Sequence, residues 1–256
     1  MSPDIQQAGP LPEPLANIRS YLGELAPPAG GFDPDGEWTA TYSIRLTHRA
    51  RGVDHCSPAG VMRAVRRPLG DGVTQITVIH EAAQGGPTFD RVEATLTCHR
   101  DELSTLRGWD SKTRIVRGDR VTRPGTEFRA RGMVGEDEIV RISGGKRSHP
   151  AEGRVTSDWC LIDALQRTPF GPLAYEGFTV LEELDVPRAG QRLTYRGPVE
   201  VAMAGEPITL HGFERTGRGV LPTTYWLDEG HRVLFVVGAL RSYLFAPDLE
   251  VPEVIE

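Results

Sequence analysis

Lysine and asparagine are almost missing from this chain. Of its 29 basic residues only Lys112 and Lys146 are lysines, which leaves 27 arginines, and Asn17 is the single asparagine. A coding bias accounts for that skew more simply than selection for phosphate contacts. The arginines are scattered, and 35 acidic residues bring the formal charge to −6. The basic stripe of a nucleic-acid binder is therefore lacking, and no nucleic-acid partner is expected. The nearest local sets, Arg63, Arg66 and Arg67, then Arg114, Arg117, Arg120 and Arg123, are not interleaved with aromatics. Cysteine is scarce too. Cys56, Cys98 and Cys160 are odd in number and widely spaced, with no C-x-x-C pair, which excludes a zinc finger and leaves buried reduced thiols as the ordinary reading. No apolar run approaches the ~18 residues of a membrane span, and the first thirty residues hold no apolar stretch of signal-peptide length. Read from Met1, the sequence predicts a cytoplasmic protein, and a periplasmic one if a leader was removed.

What is present points to a folded, turn-rich chain. Apolar residues make up 39% and charged residues 25%, the ordinary balance of a soluble domain. Glycine (29) and proline (20) both exceed their usual shares of about 7% and 5%, which favours short elements joined by turns. Although about 150 residues per domain is the general prior, all-β barrels reach about 250 as one unit. The expected organisation is a flexible N-terminal tail with a short amphipathic helix over residues 1–35, then a single β-rich domain over 36–256. Residues 1–12 read as disordered tail. Leu15, Ile18, Leu22 and Leu25 recur at three and four residues and form one apolar stripe after Pro14. Docking on the sheet that follows is its ordinary use, and contact with a partner protein through residues 14–25 is the alternative.

From Glu37 the period of apolar residues becomes two. Trp38, Ala40, Tyr42, Ile44 and Leu46 share one face of a strand, and Val92, Ala94, Leu96 and Cys98 repeat the pattern. Shorter candidates follow near 60–67, 73–80, 104–112, 126–133, 138–143, 178–184, 192–203, 207–215, 222–228 and 231–245. Turn chemistry separates them: Gly70-Asp71-Gly72, Gly85-Gly86-Pro87, Gly135-Glu136-Asp137, Gly205-Glu206-Pro207 and Asp228-Glu229-Gly230. A second helix is expected after Thr156 or Ser157 as cap, with Asp158 in the first turn, Trp159, Ile162 and Leu165 along one side, and Pro169 beyond its end. It should pack on the sheet or plug one end of a barrel. The fold class expected is all-β, a single antiparallel meander curved into an open or closed barrel with two short helices.

Motifs of the common enzyme classes are absent: no P-loop, no dinucleotide fingerprint, no H-E-x-x-H, no G-x-S-x-G and no EF-hand. An active site would have to be assembled from separate strands, and the acid–base candidates are His80, Glu183, His211 and Tyr225. Each has an ordinary reading. His80 with Glu81, and His211 with Glu214, stand at odd separations and so point to opposite faces of a strand, which disfavours a shared metal; no metal and no cofactor are expected. Glu182, Glu183 and Asp185 read as a solvated strand end unless burial raises one carboxyl's pKa.

The most distinctive stretch is Gly217-Arg218-Gly219-Val220-Leu221-Pro222-Thr223-Thr224-Tyr225-Trp226-Leu227-Asp228-Glu229-Gly230-His231-Arg232-Val233-Leu234-Phe235-Val236-Val237-Gly238. Together with the helix at Trp159, over residues 159–245, it resembles the closing hairpin of uncharacterised bacterial proteins of open or half-closed β-barrel form. Their architecture is similar to that of lipoprotein-carrier barrels. The resemblance implies a barrel with a concave lining and carries no catalytic residues. A curled sheet with an aromatic inner row can hold a ligand. The expected function is binding of a small, largely apolar molecule by Trp38, Tyr42, Trp109, His211, Phe213, Tyr225, Arg241 and Tyr243. The alternative is an enzyme, a lyase, isomerase or hydrolase, with its acid, base or metal ligands drawn from separate strands. Against both stands the plain use of inward aromatics, which is to fill a core.

Overall fold

A computed structural model describes residues 13–50, 53–83 and 88–255. The disordered tail expected over 1–12 and the turn expected at Gly85-Gly86-Pro87 lie outside these residues. Eight strands form the first half: β1 (Trp38–Ala50), β2 (Val53–Gly70), β3 (Val73–Ala83), β4 (Thr88–His99), β5 (Leu106–Arg117), β6 (Phe128–Val134), β7 (Glu138–Ile142) and β8 (Lys146–Pro150). After β9 (Val155–Ser157) comes the helix α3 (Asp158–Gln166), preceded in the chain by two helical turns, α1 (Glu13–Ala16) and α2 (Arg19–Leu22). The second half is β10 (Ala174–Glu182), β11 (Val186–Met203), β12 (Glu206–Gly217), β13 (Thr223–Leu227), β14 (Val233–Val237) and β15 (Arg241–Phe245).

All fifteen strands belong to one sheet, ordered β8-β7-β6-β5-β4-β3-β2-β1-β15-β14-β13-β12-β11-β10-β9. Each neighbouring pair is antiparallel except β9 and β10. The two meanders meet where β1 pairs with β15, Tyr42 opposite Phe245. The sheet is not closed, since β8 and β9 are its two edges. It is nonetheless strongly curved. Tyr42, Ile76, Leu96 and Trp109 from the first half share one buried cluster with Val180, Leu193, Phe213 and Tyr225 from the second, and with Trp159, Leu161, Ile162 and Leu165 of α3. Only a sheet wrapped around the helix brings those residues together.

The helix is the interior of the fold. Ser157 caps it, its Oγ accepting from the Cys160 N–H at 3.0 Å, and satisfies one of the free donors of the first turn. Every residue from Trp159 to Gln166 is buried, so the one-sided apolar face expected from sequence is too narrow a description. Its polar residues are paired instead of exposed. Asp163 accepts from Arg66 Nε at 2.5 Å, from Ser104 Oγ at 2.5 Å and from Arg167 Nη2 at 3.0 Å. Gln166 Oε1 accepts the Val233 N–H at 3.2 Å. Cys98 and Cys160 lie with their sulfurs 3.1 Å apart in the same core. Cys56, by contrast, is only half-buried.

The outer face of the second half is covered as well. Leu15, Ile18 and Leu22 pack on Val201, Met203, Leu210, Trp226, Phe235 and Leu244. The Leu22 carbonyl accepts the Ala204 N–H at 3.1 Å, and the Tyr21 hydroxyl donates to the Cys56 carbonyl at 2.6 Å. The helix expected over 14–25 is therefore two four-residue turns laid on the sheet, and its apolar stripe is not free for a partner. With α3 on one side and this segment on the other, Val233–Val237 is buried throughout, which is why that run is continuously apolar and not alternating. Between Val237 and Arg241 the chain turns, so the single strand expected over 231–245 is two. In the turn after Asp228-Glu229-Gly230 the left-handed position falls on His231, φ +67°. No helix among the described residues is long and apolar enough to cross a membrane.

Candidate functional site

A cavity of about 730 Å³ opens at one end of the curled sheet, where the first turn of α3 faces the strands of the second half. Its inner wall is Met62, Trp159, Ile162, Tyr225 and Val236, all buried. Four large apolar side chains stand around it and remain exposed: Leu46 (42%), Val186 (40%), Leu221 (59%) and Leu240 (65%). They come from β1, the start of β11, the loop before β13 and the turn before β15. Leu46 holds to the two-residue rhythm of β1, and is exposed because its position on that face falls at the cavity and not over α3.

Charged groups stand among these apolar side chains: Arg241 of β15 is the register partner of Leu46, and Asp185 directly precedes Val186. Glu182 ends β10 and accepts from two guanidinium groups, Arg188 Nε at 3.0 Å and Arg215 Nη2 at 3.0 Å. Glu183 accepts from Arg241 Nη1 at 2.6 Å, and Asp185 pairs with Arg141 at 2.6 Å. The turn that presents them is strained. Glu183 and Leu184 have φ of +48° and +60°, a left-handed pair that ordinarily calls for glycine or asparagine. Leu184 is buried in the core, which holds the turn in place while Glu183 stays at the cavity.

Asp158 is the most perturbed acid of the site. It lines the cavity and its Oδ1 accepts the Glu183 N–H at 3.3 Å. Burial, then the negative charges of Glu183 and Glu182, push its carboxyl up to about 7 against the opposing pull of Arg215. Near neutral pH it is thus poised between acid and base. Behind the wall lies His80, fully buried, its Nε2 3.2 Å from the Tyr243 hydroxyl and its ring 5.8 Å from that of Trp159. Burial lowers its pKa to about 4, so the imidazole is neutral under ordinary conditions. Burial also pushes Tyr225 up to about 12 and Tyr243 further still, which keeps both as hydroxyls. Arg215 is 5% exposed and uses only Nη2, since its Nε and Nη1 have no hydrogen-bond partner among the described residues.

Of the residues read from sequence, Tyr225, Arg241, Tyr243 and Glu183 line this cavity, and His80 stands one layer behind it. Trp38, Tyr42, Trp109 and Phe213 do not. All four are core residues. Tyr42 donates to the Val233 carbonyl at 3.0 Å, and the Trp109 indole lies directly over Gly132 of β6, where a Cβ would come within 2.0 Å of the ring. His211 belongs to a separate aromatic stack, 3.7 Å from the Phe170 ring with His231 4.0 Å from that same ring, and its Nδ1 meets the Tyr195 hydroxyl at 2.7 Å. Sequence reasoning missed Asp158 and Arg215. Its place as a first-turn acid favoured by the helix dipole concealed Asp158; Arg215 had no signal, being one of 27 arginines. Among the described residues no group of three or more His, Cys, Asp or Glu is placed to hold a metal ion.

A crystal structure of a β-barrel-like protein of the domain of unknown function DUF1849, from Brucella abortus, superposes with a TM-score of 0.52 at 10% identity, covering 82% of this chain and 96% of that one. The fold is shared. At that identity nothing else transfers, and the resemblance expected for residues 159–245 extends over most of the chain as a resemblance of architecture. A DUF1089 family protein from Pseudomonas aeruginosa aligns over 82% of this chain and 94% of its own with a TM-score of 0.38 at 11% identity. No family model matches the chain, and no curated protein does.

Proposed function

We propose that the protein binds a small, largely apolar molecule in the concavity of its curved sheet, within the cavity between α3 and strands β10 to β15. One observation carries this reading: four exposed large apolar side chains from four separate segments converge on a single hollow. Isolated surface leucines need no explanation, but apolar groups gathered around one cavity together with polar groups are the usual make-up of a ligand site. The volume of about 730 Å³ is within the ~300–1,000 Å³ typical of small-molecule pockets. The test is fluorescence enhancement of N-phenyl-1-naphthylamine, a neutral apolar probe, in the wild type and in a Leu221→Glu, Leu240→Glu double variant. Both positions are exposed, so the fold should be unaffected. Saturable enhancement in the wild type that is lost in the variant is the expected outcome; enhancement equal in both removes the cavity from consideration.

A second reading, acid–base catalysis, is favoured by Asp158 alone, a carboxyl held near 7 that faces the same cavity, with the neutral His80 and Tyr243 pair behind it. Under this reading a captured ligand emerges chemically altered. Mass spectrometry of a cellular extract incubated with wild type and with Asp158→Asn separates the two. A carrier enriches the same molecules unchanged in both proteins, whereas an enzyme depletes a species only when Asp158 is present.

A further inference from the structure

We propose that the β7–β8 hairpin holds a second, separate binding site, one for a phosphoryl group, formed by Arg141, Arg147 and Ser143. This site does not depend on the apolar cavity being a ligand site.

The hairpin sets two like charges opposite each other. Arg141 and Arg147 are register partners, and Ser143-Gly144-Gly145 is the turn between their strands. Like charges directly opposite on an antiparallel pair repel, so this placement favours an anion beside them. Alternation decides which way they point. Ile139, two residues before Arg141, is buried in the core cluster, whereas Ile142 is exposed on the other face with Lys146 opposite it. Arg141 and Arg147 thus stand on the concave face of the sheet, where Arg141 reaches Asp185 of the β10–β11 turn.

One carboxylate does not balance two arginines. Asp185 takes Arg141 Nη1 at 2.6 Å, and Arg147 has no acidic partner among the described residues. The Nε of Arg141 is buried and takes no part, which leaves its terminal nitrogens. A hollow of about 110 Å³ lies between these groups, lined by Arg141, Ser143, Gly145 and Arg147, with no apolar side chain in its wall. Since a single water needs about 10–15 Å³, the hollow takes a group of several oxygens. It is far too small for a molecule that fills the cavity of about 730 Å³. Its donors come from three places: a guanidinium on each strand and the Ser143 hydroxyl in the turn. A planar carboxylate is served by one guanidinium fork, whereas the oxygens of a tetrahedral phosphoryl group spread towards all three donors. Its negative charge offsets the positive charge that Asp185 leaves over.

The experiment is a phosphorus NMR titration of the full-length protein with inorganic phosphate, at low ionic strength because exposed charges are screened by salt. Saturable binding is expected, and it should weaken about tenfold or more in Arg147→Gln, the range of a charge-assisted hydrogen bond. Arg147 is exposed, so that variant should keep its fold. Arg218→Gln, which removes an exposed arginine from another loop, should bind as the wild type does. Co-sedimentation with phosphatidylcholine vesicles containing phosphatidic acid then separates two sources of the group. Vesicle binding that is lost in Arg147→Gln assigns the site to a lipid head group; phosphate binding without that vesicle response assigns it to a soluble phosphate ester. Absence of saturable phosphate binding, or equal binding by wild type and Arg147→Gln, overturns the site and leaves the apolar cavity untouched.

Discussion

Substituting Asp158 by Asn removes the proton equilibrium of the cavity at almost no change in shape, and its effect on stability must depend on pH in one direction. The carboxyl lies at about 7 in the folded protein against an ordinary 3.8. A folded state that holds its proton longer than the unfolded chain is progressively penalised as pH rises from 3.8 through 7, and the penalty is constant above that. Linkage with these two values makes the cost ~2–3 kcal/mol larger at pH 8 than at pH 5. Water reaching the carboxyl through the open cavity reduces that to ~1–2 kcal/mol. The amide keeps the acceptor for the Glu183 N–H and carries no such cost. Asp158→Asn should therefore gain stability over the wild type, with a gap that widens by ~1–2 kcal/mol between pH 5 and pH 8. Urea unfolding followed by tryptophan fluorescence at several pH values and constant ionic strength measures it. His80 supplies the opposite control. Its pKa falls to about 4 on folding, so its contribution is complete above pH 6.5 and is lost as pH drops towards 4. His80→Gln should close its gap to the wild type in acid. A gap for Asp158→Asn that is flat with pH, or that widens in acid, refutes the electrostatic picture of the site.

Three further perturbations test the frame that holds the cavity. Arg66→Met strands Asp163 inside the core with Ser104 and Arg167 as its remaining partners, and a loss of ~3–5 kcal/mol by chemical denaturation is expected for breaking a buried pair from one side. Treatment of the folded protein with a thiol-alkylating reagent should modify Cys56 and spare Cys98 and Cys160, which are fully buried, the Cys98 thiol being held protonated by its contact with Cys160 and by burial. Intact mass and a peptide map check it; rapid modification of Cys98 or Cys160 in the native protein would show that the core around α3 opens. Glu183→Gly relieves one left-handed residue of the β10–β11 turn at the expense of an exposed ion pair, so stability should hold or rise by up to ~1 kcal/mol while probe binding persists. A marked loss in the same denaturation assay would assign that ion pair a structural weight this reasoning denies it.

The fold was legible where the chemistry of single elements decides it. The two-residue rhythm from Trp38 to Leu46 and from Val92 to Cys98 fixes strands and their inner faces, and Ser157 followed by Asp158 marks a helix start that the structure keeps. The helix and strand boundaries that were misread depend on tertiary cover. Leu15, Ile18 and Leu22 have helical spacing but form two separate turns because the sheet beneath them sets their shape. Val233–Val237 lost its alternation because both faces are covered. The site was only partly legible. Tyr225, Arg241 and Tyr243 could be named from inward aromatic and polar content on the strands, and Glu183 from the acidic run with Glu182 and Asp185, yet Trp38, Tyr42, Trp109 and Phe213 share the aromatic pattern and fill the core. Whether an inward aromatic meets α3 or empty space depends on where the helix stops along the curl. Asp158 and Arg215 become a pair of interest only when β12 is set beside the first turn of α3, and no local pattern announces that approach.

The most direct measurement is a crystal structure of the protein grown with a bromine-labelled long-chain carboxylic acid, read by its anomalous signal. The account predicts bromine density inside the hollow bounded by Trp159, Ile162 and Val236. Bromine elsewhere on the molecule, with only water in that hollow, would contradict it.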